Sequence, residues 1–329
     1  MKQLRSIQLG VIASICILSI SSCKDKTHTT ISGDSTSVVA HKSTLNLPEK
    51  SYNFFVIGDW GRSGEYNQKE TGEQMNNYAE EFHPKFIIST GDNFYENGVA
   101  SIDDPQWNSS FENVYSGANL QRDWYVILGN HDYRGNPQAE IDYSKKSRRW
   151  NMPSRYYSMV EKINDSVSIL FVYLDTNPFI AKYQKKKERY ADLGTQDTTK
   201  QLKWLDELLS NSKEKWKVVI GHHPVYSTGS EHGNTEEMLA VLKPRLEKYK
   251  VDLYLAGHEH DLQHQKPEGT VDYIVSGAGS STRPTSKKEM TKFAEAVSGF
   301  AAFTCTSDSL TTYFINYKGD NIYSYSRVK

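Results

Sequence analysis

Cysteine is scarce in this sequence, and charge of neither sign dominates it. Three cysteines in 329 residues, at positions 16, 23 and 305, are too few for a disulfide framework. The formal net charge of −1 lacks the basic excess that binds nucleic acid, so we expect no nucleic-acid partner. With 37% hydrophobic and 24% charged residues, the chain is an ordinary globular protein, long enough to bury one large core or two smaller ones.

The apolar run near the N-terminus is too short to span a membrane stably. It extends from Ile7 to Ile20, behind the positive charges of Lys2 and Arg5, which is typical of a signal peptide. The residues that end it, Ile20-Ser21-Ser22-Cys23, resemble the lipobox of bacterial lipoproteins. This resemblance implies a lipoprotein signal peptide at 1–22, a lipid on Cys23, and an exported protein attached to the periplasmic face of a membrane or to the cell surface. Simple secretion with cleavage nearby is the alternative.

Residues 23–50 separate this leader from the part that we expect to fold. They are rich in serine, threonine and lysine and have almost no apolar periodicity, which predicts a flexible tether. If Cys23 carries a lipid, Cys305 is the remaining thiol, and its strand-like surroundings predict a small buried apolar residue. Residues 51–329 contain no internal repeat and no second linker, so we expect one domain there.

Strand-like and helix-like segments alternate from Tyr52 onward, which predicts an α/β fold. Helical spacing covers 68–82, 107–115, 198–209 and 235–249, and the C-terminal third is rich in strand-like runs. Glycine lets the backbone turn sharply off a strand, and α/β proteins bind ligands beyond the carboxyl ends of strands. Five strand-like runs end in glycine followed by a polar or ionisable residue, at Gly58, Gly91, Gly129, Gly221 and Gly257.

The residues at these five strand ends are all of metal-ligand type. They are Asp59, Asp92, Asn130, His222 and His258, with Tyr95 and His260 nearby. Their mixture of nitrogen and oxygen donors suits iron, zinc or manganese. Asp92 is the natural bridge, because two-metal hydrolases share a carboxylate or hydroxide between cations about 3.5–4 Å apart. One such aspartate alone would more often be a turn or helix-cap residue; five sites together predict a binuclear metal centre.

The motifs at the strand ends form a recognisable series. They are Gly58-Asp59, Gly91-Asp92, Gly129-Asn130-His131-Asp132, Gly221-His222 and Gly257-His258-Glu259-His260. This series resembles the signature of the metallophosphoesterase superfamily. From about residue 54 to about residue 284, the chain resembles more narrowly the low-molecular-weight purple acid phosphatases, also called tartrate-resistant acid phosphatases. The resemblance implies a two-sheet αββα sandwich, with residues 51–329 as a single catalytic domain.

The resemblance also implies an activity, the hydrolysis of phosphate monoesters by an acid phosphatase with a metal-held hydroxide as nucleophile. One site, for Fe(III), would consist of Asp59, Asp92, Tyr95 and His260. The other, for Fe(II), Zn(II) or Mn(II), would consist of Asp92, Asn130, His222 and His258. A hydroxide would bridge the two ions, and the substrate would be a phosphorylated small molecule or a phosphoprotein.

Three further histidines are singled out by the same resemblance. His131 and His232 match histidines that contact the substrate phosphate or the leaving group. We expect both to be charged, which favours slightly acid pH. His223 departs from the family pattern, since animal members usually carry an aromatic residue there.

A charge count supports iron(III) independently. Relatives whose first motif is Asp-x-His bind two divalent ions, whereas here Trp60-Gly61 follows Asp59 and offers no imidazole. Tyr95 replaces that neutral ligand with a phenolate, which lowers the net charge of the site by about one unit unless one metal is trivalent. A phenolate on iron(III) would colour the protein. The alternative is that Tyr95 is an ordinary buried tyrosine.

Two other functions remain open from the sequence. A phosphodiesterase of the same superfamily would be more active on diesters than on monoesters. A surface-tethered binding protein on an inactive scaffold would need a broken ligand set, and none is visible. The segment after Tyr95, with Asp103, Asp104 and Glu112, is either a lid over the site or a solvated acidic face, and we favour the latter.

Overall fold

The computed structural model of the protein describes Leu45 and residues 47–329. The signal peptide expected at 1–22, the Cys23 expected to carry a lipid and most of the tether expected at 23–50 lie outside these described residues. Within the described part of the chain, no helix combines the length and the apolar character needed to cross a membrane.

Fourteen strands are present in the described residues. In chain order they are β1 (Tyr52–Ile57), β2 (Phe86–Ser89), β3 (Asp123–Val126), β4 (Trp150–Asn151), β5 (Tyr157–Lys162), β6 (Ser168–Tyr173), β7 (Trp216–Ile220), β8 (Leu253–Ala256), β9 (Leu262–Gln265), β10 (Asp272–Ser276), β11 (Thr291–Glu295), β12 (Gly299–Cys305), β13 (Ser309–Asn316) and β14 (Asn321–Val328). They form two seven-stranded sheets. The first has the order β14-β13-β12-β1-β2-β3-β4, and the second β11-β9-β10-β8-β7-β6-β5.

The helices of the described chain connect these strands. The α-helices are α1 (Gln68–Phe82), α2 (Pro137–Tyr143), α3 (Ala181–Gln184), α4 (Thr198–Asn211), α5 (Glu236–Val241) and α6 (Lys243–Lys248). Short 3₁₀ helices lie at Ala118–Leu120, Asp132–Arg134, Asn177–Phe179 and Ala191–Thr195, and a π-helix lies at Trp107–Glu112. The helices predicted at 68–82 and 198–209 are confirmed. The one predicted at 235–249 is divided at Leu242, because Pro244 has no N–H with which to continue the helix.

Alternate residues of the central strands enter two different cores. Phe54 in β1 faces the second sheet, and its ring centre lies 5.1 Å from that of Phe171 in β6. The next residue, Phe55, faces the opposite way, and its ring centre lies 5.1 Å from that of Phe82 in α1. Successive side chains of a strand point to opposite faces, so the two sheets pack face to face and helices cover the outside. The predicted two-sheet αββα sandwich is confirmed.

Parallel pairing brings the functionally important strand ends to one edge of the molecule. Strands β1 to β4 pair in parallel in the first sheet, and so do β6, β7, β8 and β10 in the second. The carboxyl ends of parallel strands meet at the same edge, where α/β proteins bind their ligands. The loops after β1, β2 and β3 therefore lie at one edge of the first sheet, and those after β7 and β8 at one edge of the second. Side-chain atoms of Asp59, Asp92 and His222 meet within 4.8 Å, so the two edges face one crevice.

Replacing Phe54 with alanine is expected to destabilise the protein by about 3–5 kcal/mol. The side chain is fully buried between the sheets, and its ring also stacks on Phe303 at 4.9 Å. Urea unfolding of wild type and variant measures the difference. Val160→Ala, at a position 52% exposed on β5, is the control, with an expected loss below about 1 kcal/mol. Equal losses for the two variants would contradict a core between the sheets.

Candidate metal centre

Strand ends from both sheets contribute the predicted ligands. Asp59, Asp92 and Asn130 follow β1, β2 and β3 of the first sheet, whereas His222 and His258 follow β7 and β8 of the second. All five, together with His260, are buried, with at most 5% of each residue exposed. Ligand atoms of Asp59, Asp92 and His222 lie within 4.8 Å of one another. The structure thus brings together residues that are up to about 200 positions apart in the chain.

The hydroxyl of Tyr95 is the centre of the first half of this cluster. Its oxygen lies 2.9 Å from Asp59 Oδ1, 3.0 Å from Asp92 Oδ2 and 3.1 Å from His260 Nε2. A phenol has one proton and can donate it to only one of the two carboxylates. The Tyr95 oxygen, the two carboxylate oxygens and the imidazole nitrogen therefore converge with too few protons to form a hydrogen bond between each neighbouring pair. A cation fits this position.

His222 is the centre of the second half. Its Nδ1 lies 2.9 Å from the carbonyl oxygen of Thr90, so Nδ1 carries the proton and Nε2 has a free lone pair. Nε2 lies 3.2 Å from His258 Nδ1, 3.3 Å from Asn130 Oδ1 and 3.5 Å from Asp92 Oδ1. Acceptor atoms that face one another in this way repel each other unless a cation lies among them.

The amide of Asn130 has a second possible orientation. Rotated by half a turn, its NH₂ group would donate to His258 Nδ1 at 2.9 Å and to His222 Nε2 at 3.3 Å. That orientation satisfies the metal-free protein. The orientation with Oδ1 toward the imidazoles suits a bound cation, since a carbonyl oxygen is a metal ligand and an NH₂ group is not.

Asp92 joins the two halves. Its Oδ2 faces Tyr95, while its Oδ1 faces His222 and accepts the backbone N–H of His131 at 2.7 Å. Burial would raise the pKa of Asp92, but the neighbouring imidazoles of His222 and His131 outweigh burial and lower it. Burial and the charge of Asp92 raise the pKa of Asp59 well above its usual range. Two buried carboxylates side by side lack counter-charge, and a cation would supply it.

The backbone is strained at three of the ligands. Asp59, Asp92 and His258 have φ angles of 58°, 49° and 69°, in the left-handed region that residues with a side chain rarely adopt. Such conformations cost on the order of 1–3 kcal/mol each and are typical of functional sites. The strain therefore indicates that these side chains are held in position for binding.

Most of the strand-end glycines allow neighbouring groups to approach the backbone closely and do not make a sharp turn. Of the five, Gly91 has a positive φ, at 92°, and the other four do not. A Cβ at Gly257 would collide with the carboxylate of Asp59, and one at Gly129 with that of Asp92. The expectation that these glycines let the backbone turn is therefore correct for Gly91, while at Gly129 and Gly257 the ligands leave no space for a side chain.

His131 and His232 lie at the mouth of the site, each beside a guanidinium group. Arg134 Nη1 is 2.8 Å from His131 Nδ1, and Arg283 Nη1 is 3.3 Å from His232 Nε2. Burial lowers the pKa of His131. Burial and the charges of Lys182 and Arg283 lower the pKa of His232 to about 4. These shifts argue against the expectation that both histidines are charged at slightly acid pH, because neighbouring cations disfavour the imidazolium form.

His223 lies behind the ligands. Its Nδ1 is 2.8 Å from Thr176 Oγ1 and its Nε2 is 3.2 Å from the hydroxyl of Tyr183. Its ring centre is 4.5 Å from that of His258. Although His223 is close enough to join a metal cluster with His222 and His258, both of its nitrogens are engaged, so it supports a ligand and does not replace one.

A pocket of about 380 Å³ opens above the cluster. Its lining includes four of the predicted ligands, both predicted catalytic histidines, and a set of cations that the sequence analysis missed: Arg134, Lys182, Lys186, Arg189 and Arg283. A larger pocket, of about 830 Å³, lies at the amino ends of β1, β2 and β3, away from every predicted ligand. Pocket size alone would therefore have led to the wrong end of the sheets.

Asp132 holds two ligand loops together. Its carboxylate accepts the backbone N–H of Asn93 at 2.9 Å and that of Gly129 at 2.7 Å. The amide of Asn93 in turn donates to Glu140 Oε2 at 2.9 Å. This fully buried network connects the loop of Asp92 to that of Asn130. In the sequence, this network is indicated by the position of Asp132 directly after Asn130-His131.

The acidic residues after Tyr95 do not line the pocket. Glu112 forms an ion pair with Arg149 at 2.6 Å, and Asp103 forms one with Lys146 at 2.7 Å. Asp104 Oδ2 accepts the backbone N–H of Ala100 at 2.8 Å. The preference for a solvated face is right for Asp103, whose side chain is 78% exposed, and wrong for Glu112, which is a half-buried partner of an arginine.

Glu259 positions the loop that carries His232, and removing the Glu259 carboxylate is expected to lower the catalytic efficiency. Its buried Oε1 accepts the backbone N–H of Gly233 at 2.7 Å and that of His232 at 3.1 Å. We expect Glu259→Ala to lower kcat/KM for an aryl phosphate about 10–100-fold with little change in metal content. Glu259→Gln keeps an acceptor oxygen and should lose far less. Equal activity of the two variants would contradict the role.

Known proteins resemble this chain in sequence. The calcineurin-like phosphoesterase family matches residues 52–262. Purple acid phosphatase 4 of Arabidopsis thaliana is 38% identical over 294 residues, covering 86% of this chain and 85% of the relative. Tartrate-resistant acid phosphatase type 5 of Homo sapiens is 36% identical over 294 residues, covering 82% of this chain and 89% of the relative.

Solved structures with the same fold also match this chain. GAP50, the anchor in the inner membrane complex of Plasmodium, has a TM-score of 0.74 at 24% identity, covering 85% of this chain and 90% of that one. Purple acid phosphatase PPD1 from yellow lupin has a TM-score of 0.64 at 17% identity, covering 84% of this chain and 54% of that one. At these identities the likeness shows the fold alone. From the family match and the identity over most of both sequences, it follows that this chain belongs to the calcineurin-like metallophosphoesterases and, among them, to the purple acid phosphatases, a family of acid phosphatases.

Proposed function

We propose that this protein hydrolyses phosphate monoesters at a binuclear metal centre. The observation that carries the proposal is the position of the two oxygens of Asp92, one toward Tyr95 and the other toward His222. A carboxylate that faces two separate groups of ligand atoms is the bridge that a two-metal hydrolase needs.

The ligand sets follow the two halves of the cluster. Fe(III) would be held by Asp59, Asp92, Tyr95 and His260. Fe(II), Zn(II) or Mn(II) would be held by Asp92, Asn130, His222 and His258. When bound, the two ions would neutralise charge on the phosphate and lower the pKa of a water molecule.

The protein's own side chains would bind and orient the ester. His131 and His232 would contact the phosphate or the leaving oxygen from the mouth of the pocket, and the guanidinium groups of Arg134 and Arg283 lie beside them. A monoester can carry two negative charges where a diester carries one. The cations that line the pocket therefore favour a monoester over the diester of the alternative function.

The test begins with protein purified without added metal. Metal content and a visible spectrum are followed by kcat/KM for p-nitrophenyl phosphate and for bis(p-nitrophenyl) phosphate. We expect bound iron, colour, loss of activity on chelation with recovery on adding metal, and a preference of at least 10-fold for the monoester. A preference for the diester would favour a phosphodiesterase. A lack of activity on both esters, with metal bound, would favour the non-catalytic alternative.

We also infer, from the sequence pattern at 1–23 alone, that the chain is exported and anchored by a lipid on Cys23. Residues 23–50 would then be the tether and residues 51–329 the catalytic domain. In the bacterial host, Cys23→Ser is expected to move the phosphatase from the membrane fraction to the soluble fraction without loss of activity. An unchanged distribution between the fractions would overturn the lipid anchor.

A further inference from the structure

One wall of the active-site pocket is unusually basic. The segment 181–190 contains five cations, Lys182, Lys185, Lys186, Lys187 and Arg189. Three of them, Lys182, Lys186 and Arg189, line the pocket above the metal cluster, and we refer to these three as the basic wall. Lys185 and Lys187 do not line it. The segment therefore presents one set of cations to the pocket and another set elsewhere.

Two buried tyrosines attach this segment to the metal centre. Tyr183 directs its hydroxyl to His223 Nε2 at 3.2 Å, and the hydroxyl of Tyr190 accepts a long hydrogen bond of 3.4 Å from Arg134 Nε. Each tyrosine is 4% exposed, and their ring centres lie 4.7 Å apart. Because both ends of the basic segment are held by residues at the site, the position of its lysines relative to the pocket is determined by packing.

The basic wall has no carboxylate partner within the protein. Arg283, which also lines the pocket, forms an ion pair with Glu231 at 2.9 Å. Within the described residues, by contrast, Lys182, Lys186 and Arg189 have no carboxylate oxygen within 4.0 Å. Cations gathered at a pocket without counter-ions are available to an anionic ligand.

The scissile phosphate does not need these cations. His131, His232, Arg134 and Arg283 already surround the mouth of the cluster, together with the ligands beneath it. A pocket of about 380 Å³ falls within the range of small-molecule sites, about 300–1,000 Å³, and exceeds what one phosphate group occupies. The basic wall lines this same pocket.

We propose that the basic wall binds a second phosphate of the substrate, so that the preferred substrates are small molecules carrying at least two phosphates, such as condensed phosphates. The proposal rests on the proposed function of the same site. With tripolyphosphate, water would add at the terminal phosphorus and the bond from that phosphorus to the bridging oxygen would break. The shortened polyphosphate would leave with the bridging oxygen and take up a proton, and the lysines would stabilise its charge.

A phosphoprotein fits these observations less well. An acidic peptide would extend beyond the pocket and would use the cations of segment 181–190 that lie outside it. The basic wall instead concentrates its charge at the pocket. The lysines that do not line the pocket, Lys185 and Lys187, therefore distinguish the two kinds of substrate.

The test compares two double variants of the intact metal-loaded enzyme. Lys182→Ala with Lys186→Ala removes two charges from the basic wall, and Lys185→Ala with Lys187→Ala removes two charges from the same segment outside the pocket. For each, kcat/KM is measured with tripolyphosphate and with p-nitrophenyl phosphate. We expect the ratio of the two values, tripolyphosphate over aryl phosphate, to fall at least 10-fold in the first variant, mainly through KM. The ratio should stay within 2-fold of wild type in the second.

Each other outcome has a defined meaning. An equal fall for both substrates in the Lys182/Lys186 variant, at unchanged metal content and melting temperature, would overturn the second phosphate site. So would an equal fall of the ratio in both variants, which would indicate a long-range charge effect or an extended anionic partner. If the wild-type enzyme hydrolyses p-nitrophenyl phosphate but the Lys182/Lys186 variant keeps the wild-type ratio, this inference alone is overturned. Metal-loaded wild-type enzyme without activity on either substrate would overturn the proposed function as well.

Discussion

Asp92→Asn is expected to lower kcat for p-nitrophenyl phosphate by about 1,000-fold or more, equivalent to about 4 kcal/mol of barrier. The amide keeps the shape of the side chain but cannot serve two cations as a bridging carboxylate. Asparagine also tolerates the left-handed backbone at this position, where φ is 49°, so the loop should keep its conformation. Metal content per chain, measured beside kcat, should fall from two ions to fewer than two.

The stability of the metal-free protein separates this effect from misfolding. Burial and the charge of Asp92 raise the pKa of Asp59 above its value in the unfolded chain, about 3.9. The folded apoprotein therefore keeps a proton that the unfolded chain releases, and its stability should fall as the pH rises above about 4 toward the raised pKa. Asparagine at position 92 removes the repulsion, so the fall should be smaller in the variant.

Asp103→Asn is a matched control for this prediction, since it removes a carboxylate that is 78% exposed and does not line the pocket. It should keep both metals and wild-type kcat. An Asp92→Asn enzyme that retained two ions and more than a tenth of the wild-type rate would show that Asp92 is not the shared ligand.

Tyr95→Phe is expected to remove the colour of the iron-loaded protein. Burial and the carboxylates of Asp59 and Asp92 hold the pKa of Tyr95 well above its usual range, so the metal-free protein contains a phenol. Only a cation close to the hydroxyl would produce the phenolate, and a phenolate on iron(III) absorbs visible light by charge transfer. Loss of one ligand should also lower activity, by about 10–100-fold.

The measurement is a visible spectrum at equal iron content. Tyr183→Phe is the control, because this hydroxyl lies near the pocket but directs itself to His223 and not to the Asp59 side of the cluster. It should keep the visible band. A colourless, iron-loaded wild type, or a band that survives in Tyr95→Phe, would remove Tyr95 from the ligand set and with it the argument for iron(III).

Five of the seven predicted ligands could be found from sequence because each follows a short apolar run and its glycine. Tyr95 and His260 lie within three positions of two of these five. In β1 and β8 every residue is buried, so the sequence signal of the strand is unambiguous and the polar residue after it stands out. Parallel pairing of β1 with β2 brings Asp59 beside Asp92, and pairing of β7 with β8 brings His222 beside His258. The packing of the two sheets then brings the two pairs together. The structure places the side chains of all seven close together, and their role as ligands stays a prediction.

Polar strands could not be predicted in the same way. Strand β9 (Leu262–Gln265) is buried throughout although three of its four residues are polar. Gln263 donates to Asp261 and Ser227, and His264 Nε2 is 2.9 Å from Asp272 Oδ1, so hydrogen-bond partners compensate the burial of these polar side chains. Strand β11 (Thr291–Glu295), which pairs with β9, also lacks an apolar run, since three of its five residues are polar or charged.

By itself, the sequence determined the chemical types of the ligands, their spacing from the strands and the family to which they belong, because these properties depend on residues within a few positions of one another. Only the tertiary structure decided which side chains face each oxygen of Asp92. It also decided that His131 and His232 lie beside arginines, and that Lys182, Lys186 and Arg189 line the pocket. These contacts join segments that meet only when both sheets are assembled. The electrostatic interaction between two groups, and the burial of each, depend on their distance in space and not on their separation along the chain.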